Sequence, residues 1–100
     1  MGLNVYIGRD GPRGAELRKT LREQHIAHIE ALDAAGRIVY AGPLRDRDEA
    51  PCGSLIVLDA EDFDAAEAIA QQDPYTVEGV FERVDVHGTL AVFPKDTPPG

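Results

Sequence analysis

Two hydrophobic periodicities alternate along this chain, and their order restricts the fold more than any other feature. Leu3, Val5 and Ile7 alternate with Asn4 and Tyr6, and the apolar residues of 80–86 alternate with charged ones, which predicts strands at about 3–7 and 80–86. Two short apolar runs predict further strands at about 37–41 and 54–58. Helical spacing predicts a long helix over about Arg13–Ala35 and an Ala-rich helix from the N-cap Asp62 to about Gln72. The order β-α-β-β-α-β favours a ferredoxin-like α+β fold, with an antiparallel four-stranded sheet and both helices on one face.

The predicted boundaries of these elements rest on glycine and proline. Gly36 is a natural stop for the first helix, and Gly42-Pro43 is expected to close the second strand. A length of 100 residues fits a single domain. We place that domain at 1–93 and expect the Pro-rich segment 94–100 to be a frayed tail.

The middle strands predict that the sheet is covered on both faces. A sheet packed on one side should alternate apolar and polar residues, yet Leu55-Ile56-Val57-Leu58 and Ile38-Val39-Tyr40-Ala41 are apolar at every position. Helices cover only one face of a ferredoxin-like sheet. The other apolar face is too large to leave exposed, which favours a homodimer over an open-faced monomer.

The charge of the chain argues against nucleic acid as a partner. The net charge is −8, from 18 acidic and 10 basic residues. Nucleic-acid-binding proteins usually carry a basic patch, whereas the basic residues here are interleaved with acidic ones, as in the run 45–49. The acidic surface favours solubility.

The single cysteine and the absence of long apolar runs predict a cytoplasmic protein. Cys52 has no partner for an intrachain disulfide, which fits a reducing compartment. The first residues lack the pattern of a signal peptide, and no stretch approaches the roughly 20 apolar residues that a membrane helix needs.

Two histidines on the first predicted helix are the best candidates for chemistry. His25 and His28 fall on one stripe with Leu21 and Leu32, on the face expected to pack on the sheet. From the spacing alone, hydrogen-bonded core or helix-edge histidines are the favoured interpretation. A metal site with His87 or a carboxylate is disfavoured, because no Cys-x-x-Cys or His-x-x-x-His motif accompanies the pair.

Two further segments have simple structural interpretations. Asp73-Pro74 is a good N-cap followed by a good first helical residue, so it predicts a short turn through Glu78. In Cys52-Gly53-Ser54, the glycine suggests a bulge or turn, and an inert thiol is favoured over a nucleophile.

Taken together and in order, four motifs resemble the YCII (YciI-like) family over residues 3–86. They are Arg22-Glu23-Gln24-His25, the segment Gly36–Leu44, Gly53–Val57, and Asp73-Pro74-Tyr75 with Gly79–Glu82. The resemblance implies a dimeric α+β barrel, in which two ferredoxin-like sheets pack face to face. It also implies a cleft whose catalytic acid–base pair corresponds to His25 and Asp73.

The resemblance implies further residues of the cleft, and one segment of this chain departs from the family pattern. It places Gly53 and Ser54 near the same cleft, and Ser54, Tyr75 or a backbone N–H are candidates to bind a substrate oxygen. The family often ends its last strand with a Pro-aromatic signature, whereas this chain continues with 86–93. The pocket mouth or dimer edge is therefore expected to differ.

Two kinds of function are compatible with these residues. One is a lyase or isomerase that moves a proton on a small cyclic or unsaturated carbonyl compound, without a metal or organic cofactor. The other is a non-catalytic ligand-binding or accessory dimer, in which His25 and Asp73 only tie the helix to the Asp-Pro-Tyr turn. Fold alone cannot choose between them.

Overall fold

The computed structural model describes residues 2–95 and has the predicted order of elements. The strands are β1 (Gly2–Asp10), β2 (Ile38–Arg45), β3 (Pro51–Ala60) and β4 (Phe81–Gly88). The helices are α1 (Gly14–Ala34), α2 (Phe63–Gln72) and a short α3 (Pro74–Val77). The tail predicted at 94–100 lies outside the described residues from 96 onward, and the domain boundary at residue 93 stays a prediction.

The four strands form one antiparallel sheet in the order β2-β3-β1-β4. The two strands nearest in sequence, β2 and β3, make a hairpin at one edge, and β1 lies beside β3 in the centre. This is the ferredoxin-like arrangement that the sequence predicted, and the α+β fold is confirmed.

The helix boundaries follow the local signals in the sequence. The side chain of Asp62 accepts a 2.8 Å hydrogen bond from the amide of Ala65 and caps α2. Gly36 follows α1 with a φ of 74°, a left-handed conformation that glycine adopts without steric cost. Asp73 caps α3 and Pro74 is its first residue, as the Asp-Pro pair predicted.

The prediction that Gly42-Pro43 closes the second strand was wrong. The strand β2 continues to Arg45, and Pro43 pairs with Ser54 of β3. Proline is tolerated here because β2 is an edge strand with a neighbour on one side only. The loop between the two strands covers only residues 46–50, because β3 already begins at Pro51.

The helices pack on one face of the sheet, over a core that includes two tyrosine side chains. Tyr6, Ile56 and Leu58 are almost fully buried beneath Ala66 and Ala70 of α2. A second cluster joins α1, α3 and the start of β4 through Leu21, Tyr75, Val80 and Phe81. These clusters fix α1 against α3, and that junction holds the candidate site.

The opposite face of the sheet is apolar and carries no helix. Leu55 and Val57 alternate with the buried Ile56 and Leu58, so they point away from the core. On the β2 edge, Val39 and Tyr40 are more than half exposed. The two-sided apolar character predicted for β3 is therefore present.

Candidate active site

His25 and Asp73, 48 residues apart in sequence, are in direct contact. His25 Nδ1 and Asp73 Oδ1 are 2.8 Å apart. The histidine lies in the second half of α1, and the aspartate lies at the junction of α2 and α3. Asp73 has no solvent exposure, whereas the His25 side chain keeps 11% of its surface accessible.

The Asp73 carboxylate accepts three hydrogen bonds. Besides His25, the hydroxyl of Tyr6 donates to Oδ2 at 2.9 Å and the amide of Tyr75 donates to Oδ1 at 2.9 Å. Burial acts to raise the pKa of Asp73, but these donors, His25 above all, hold the pKa below its ordinary value. The carboxylate is therefore ionised at neutral pH although it is fully buried.

This contact fixes the tautomer of neutral His25. An ionised carboxylate can only accept hydrogen bonds, so Nδ1 carries the proton that is donated to Asp73. The lone pair is then on Nε2, the nitrogen that can take a proton from another molecule.

Aromatic stacking fixes the plane of the imidazole ring. The rings of His25 and Tyr75 are parallel within 1° and their centroids are 3.9 Å apart. Phe81 meets Tyr75 edge to face at 5.6 Å, and the guanidinium carbon of Arg18 lies 4.9 Å from the centre of the Tyr75 ring. The hydrogen bond and the stack together leave His25 little freedom to rotate.

Arg18 connects α1 to the end of β1 and to β3. It makes a bidentate ion pair with Asp10, with N–O distances of 2.6 and 2.9 Å. Its second amino group also donates to the carbonyl of Gly53 at 2.9 Å and to the hydroxyl of Ser54 at 3.3 Å. Burial alone would lower the pKa of Arg18, but Asp10 raises it, so this side chain stays charged.

A cavity of about 210 Å³ adjoins His25. Its walls come from α1, from β2 and β3, and from Tyr75. The lining residues are Arg18, Arg22, His25, Ile26, Ile29, Ala41, Gly42, Pro43, Ser54, Ile56 and Tyr75. Pockets for drug-sized ligands usually measure about 300–1,000 Å³, so this one suits a compact molecule.

The structure brings together most of the residues singled out from the sequence. His25, Ser54 and Tyr75 line the cavity, and Asp73 lies behind His25 with no surface of its own on the cavity. Gly53 does not line it. The contact of Gly53 with this region is the hydrogen bond that its carbonyl accepts from Arg18.

Three residues of the site were missed from the sequence. Tyr6 falls on the apparently polar side of the β1 alternation, yet it is fully buried and bonds Asp73. Arg18 and Arg22 look like ordinary surface charges of α1. Their positions seven and three residues before His25 put them on the same helical face, and that spacing was the available signal.

The other histidines lie apart from this arrangement. His28 is half-buried but does not line the cavity, and burial lowers its pKa. His87 stands opposite Val5, on the face of the sheet that carries no helix. Within residues 2–95, no three His, Cys, Asp or Glu side chains are grouped as metal ligands would be.

Comparison with known proteins assigns the chain to a family. The model of the YCII-related domain matches residues 3–88. The chain belongs to the YCII-related domain family. The YciI protein of Escherichia coli O6:H1 is 33% identical to this YCII-related chain over 97 residues, covering 91% of this chain and 99% of that protein. An uncharacterised protein of Haemophilus influenzae is 35% identical over 95 residues, covering 89% and 97%.

The YCII-related chain is similar in structure to an enzyme whose structure has been solved. The 5-chloro-2-hydroxyhydroquinone dehydrochlorinase TftG of Burkholderia phenoliruptrix AC1100, in complex with 2,5-dihydroxybenzoquinone, superposes with a TM-score of 0.74. It is 27% identical, and the match covers 85% of this chain and 90% of TftG. A Pseudomonas aeruginosa protein shares the fold, with a TM-score of 0.52 and 14% identity. That match covers 87% of this chain and 89% of the Pseudomonas chain.

Proposed function

We propose that this YCII-related protein is a lyase or isomerase that needs no cofactor, in which His25 transfers a proton on a small cyclic or unsaturated carbonyl compound. The observation that carries the proposal is the imidazole on the cavity wall, whose Nδ1 is held by a buried carboxylate and whose Nε2 is left to act as a base. The similarity to TftG, a dehydrochlorinase by name, supports the same class of reaction.

The proposed reaction begins when His25 Nε2 removes a proton from a carbon beside the carbonyl group. The electrons of the C–H bond move to the carbonyl oxygen and form an enolate. For an isomerisation, protonated His25 returns the proton to a different carbon. For an elimination, the enolate electrons re-form the carbonyl and make a carbon–carbon double bond to the next carbon, from which a leaving group such as chloride departs with its bonding pair. Protonated His25 then gives its proton to solvent.

The surroundings of His25 suit such a step. Ser54 and Tyr75 line the same cavity, and their hydroxyl groups can donate to the oxygen on which charge develops. Asp73 does not reach the cavity. Its proposed role is therefore to position His25 and to stabilise the imidazolium that forms after proton transfer.

A ligand screen tests this proposal. We expect a member of a panel of lactones, dienoic acids and halogenated phenols to raise the melting temperature of the wild type but not of His25→Ala. The same compound should exchange a C–H proton for deuterium in D₂O, or release chloride, when followed by NMR with the wild type. A compound that stabilises the wild type without exchange or turnover would favour the ligand-binding or accessory role instead.

We further propose that two copies pair through the helix-free face of the sheet. On that face Val39 and Tyr40 are 59% and 53% exposed, and Leu90, Val92 and Phe93 beyond β4 are 64–72% exposed. An apolar surface of this extent is typical of an interface between subunits.

No helix within residues 2–95 has the length and hydrophobicity of a membrane span.

The homodimer has a direct test. Light scattering at micromolar concentration is expected to give twice the mass of one chain for the wild type. Tyr40→Glu is expected to give the monomer, because it places a charge on the apolar face that the two copies would bury against each other. Glu67→Gln on the helix side of the sheet serves as control and should leave the mass unchanged. A monomeric wild type would contradict the proposal.

The cytoplasmic location also stays a proposal. It rests on Cys52, which is free and exposed, and an exposed thiol is stable in a reducing compartment. Fractionation of cells that produce the protein would test it.

A further inference from the structure

The wall that α1 contributes to the cavity changes from cationic to apolar along the helix. In chain order it presents Arg18, Arg22, His25, Ile26 and Ile29. With a rise of about 1.5 Å per residue, Arg22 and Ile29 are separated by roughly 10 Å along the axis, and His25 lies between them. A ligand that fits this wall has a charged part on one side of His25 and an apolar part on the other.

The opposite wall changes in the same direction. Ser54 of β3 lies at the Arg18 end, since the two side chains are 3.3 Å apart. Ile56, two residues further along the same face of β3, belongs to the core against which Ile29 packs. The polar and apolar residues of the two walls therefore face each other.

The two arginines differ in how their charge is compensated. Asp10 neutralises Arg18 through a bidentate ion pair. Within residues 2–95, no carboxylate lies within ion-pair distance of Arg22. Arg22 is exposed and lines the cavity beside His25, so its charge is available to pair with an anion that enters there.

We propose that the cavity binds a compact amphipathic anion and that Arg22 is the residue that selects for its charge. The guanidinium of Arg22 pairs with a carboxylate or an ionised enol, and the apolar part of the ligand lies against Ile26, Ile29 and Ile56. His25 then faces the carbon atoms beside the charged group. This inference rests on the proposed function, because it takes the cavity beside His25 as the ligand site.

The test compares an acid with its uncharged amide. 2,5-Dihydroxybenzoate and 2,5-dihydroxybenzamide have nearly the same shape, and only the first is an anion at neutral pH. Isothermal titration calorimetry is expected to give a dissociation constant about tenfold lower, or lower still, for the acid with the wild type. The variant Arg22→Gln is expected to bind the two compounds about equally.

The matched control is Lys19→Gln. It removes one positive charge from the same helix, one turn before Arg22, at a position that does not line the cavity. It is expected to keep the preference for the acid. If Lys19→Gln lost the preference for the acid as fully as Arg22→Gln, that preference would come from the electrostatic field of the whole protein. The role of Arg22 would then be refuted.

The inference is overturned if the wild type binds the acid no more tightly than the amide, or binds neither, and also if Arg22→Gln keeps the preference. These outcomes are independent of the proposed reaction. A preference for the acid that depends on Arg22 can be measured in a protein that turns nothing over. Conversely, turnover of a neutral ketone that depends on His25, with no preference for anions, would sustain the reaction and refute the inference.

Discussion

Replacing Asp73 with alanine is expected to lower the free energy of unfolding by about 3–5 kcal/mol, because it removes a buried charge and leaves its partners unpaired. The hydroxyl of Tyr6 loses its acceptor at a site with no solvent exposure. The Nδ1 of His25 and the amide of Tyr75 lose theirs as well. Urea unfolding at one fixed protein concentration measures the loss, since a dimer would make stability depend on concentration.

Asp62→Ala is the matched control for this variant. Asp62 is also an N-cap aspartate, but its carboxylate is exposed and accepts a hydrogen bond only from the amide of Ala65. Its loss is expected to cost about 1 kcal/mol, the usual contribution of a cap. The difference between the two losses in the free energy of unfolding then measures the contribution of the hydrogen bonds from Tyr6 and His25. Equal losses would contradict the structural role assigned to Asp73.

The contribution of Asp73 also depends on pH. Its pKa is lower in the folded protein than in the unfolded chain, so the unfolded state binds the proton more readily in acid. The stability that Asp73 supplies is fully present above the unfolded pKa of about 4 and is lost as the pH falls below it. The stability gap between wild type and Asp73→Asn should therefore narrow in acid, and a constant gap would contradict this assignment.

Replacing His25 with glutamine is expected to lower the turnover of a substrate found in the screen by about 10²–10⁴-fold, the usual contribution of a general base. Glutamine keeps a polar side chain of similar reach but cannot take up the proton. The loss should appear in kcat, with KM changed little, because the base acts on the transition state more than on substrate binding. Steady-state kinetics of the purified variant measure both.

Two controls separate this role from a structural one. His28→Gln removes the other histidine of α1, which does not line the cavity, and is expected to leave kcat within about threefold of the wild type. Asp73→Asn keeps the shape of the side chain, but its amide can donate to Nδ1 and so leave the proton on Nε2. It should lower kcat as His25→Gln does. Full turnover by His25→Gln would refute the proposed base.

The sequence predicted the fold well because its periodicities agree with its turn signals. The Asp62 and Asp73 caps and the Gly36 stop are all local features, and each appears at its predicted position. The predicted end of β2 at Gly42-Pro43 was wrong, because the effect of a proline depends on the place of its strand in the sheet. Only the strand order shows that β2 is an edge, where a proline is tolerated.

The site was harder to predict because its contacts join distant segments. The alternation of β1 suggested that Tyr6 is on the polar face, yet that face is the one beneath the helices. The Tyr6 hydroxyl can be buried there because it donates a hydrogen bond to Asp73, which is 67 residues away in sequence. No local pattern encodes that pairing, and the resemblance to a known family was needed to connect His25 with Asp73.

The aromatic composition gives this protein a built-in spectroscopic reporter. The chain has no tryptophan and three tyrosines, so its intrinsic fluorescence comes from Tyr6, Tyr40 and Tyr75. Tyr6 donates to Asp73, and Tyr75 stacks on His25. Two of the three emitters therefore touch the His25–Asp73 pair, and the emission of Tyr40→Phe would follow events in the cavity without any attached dye.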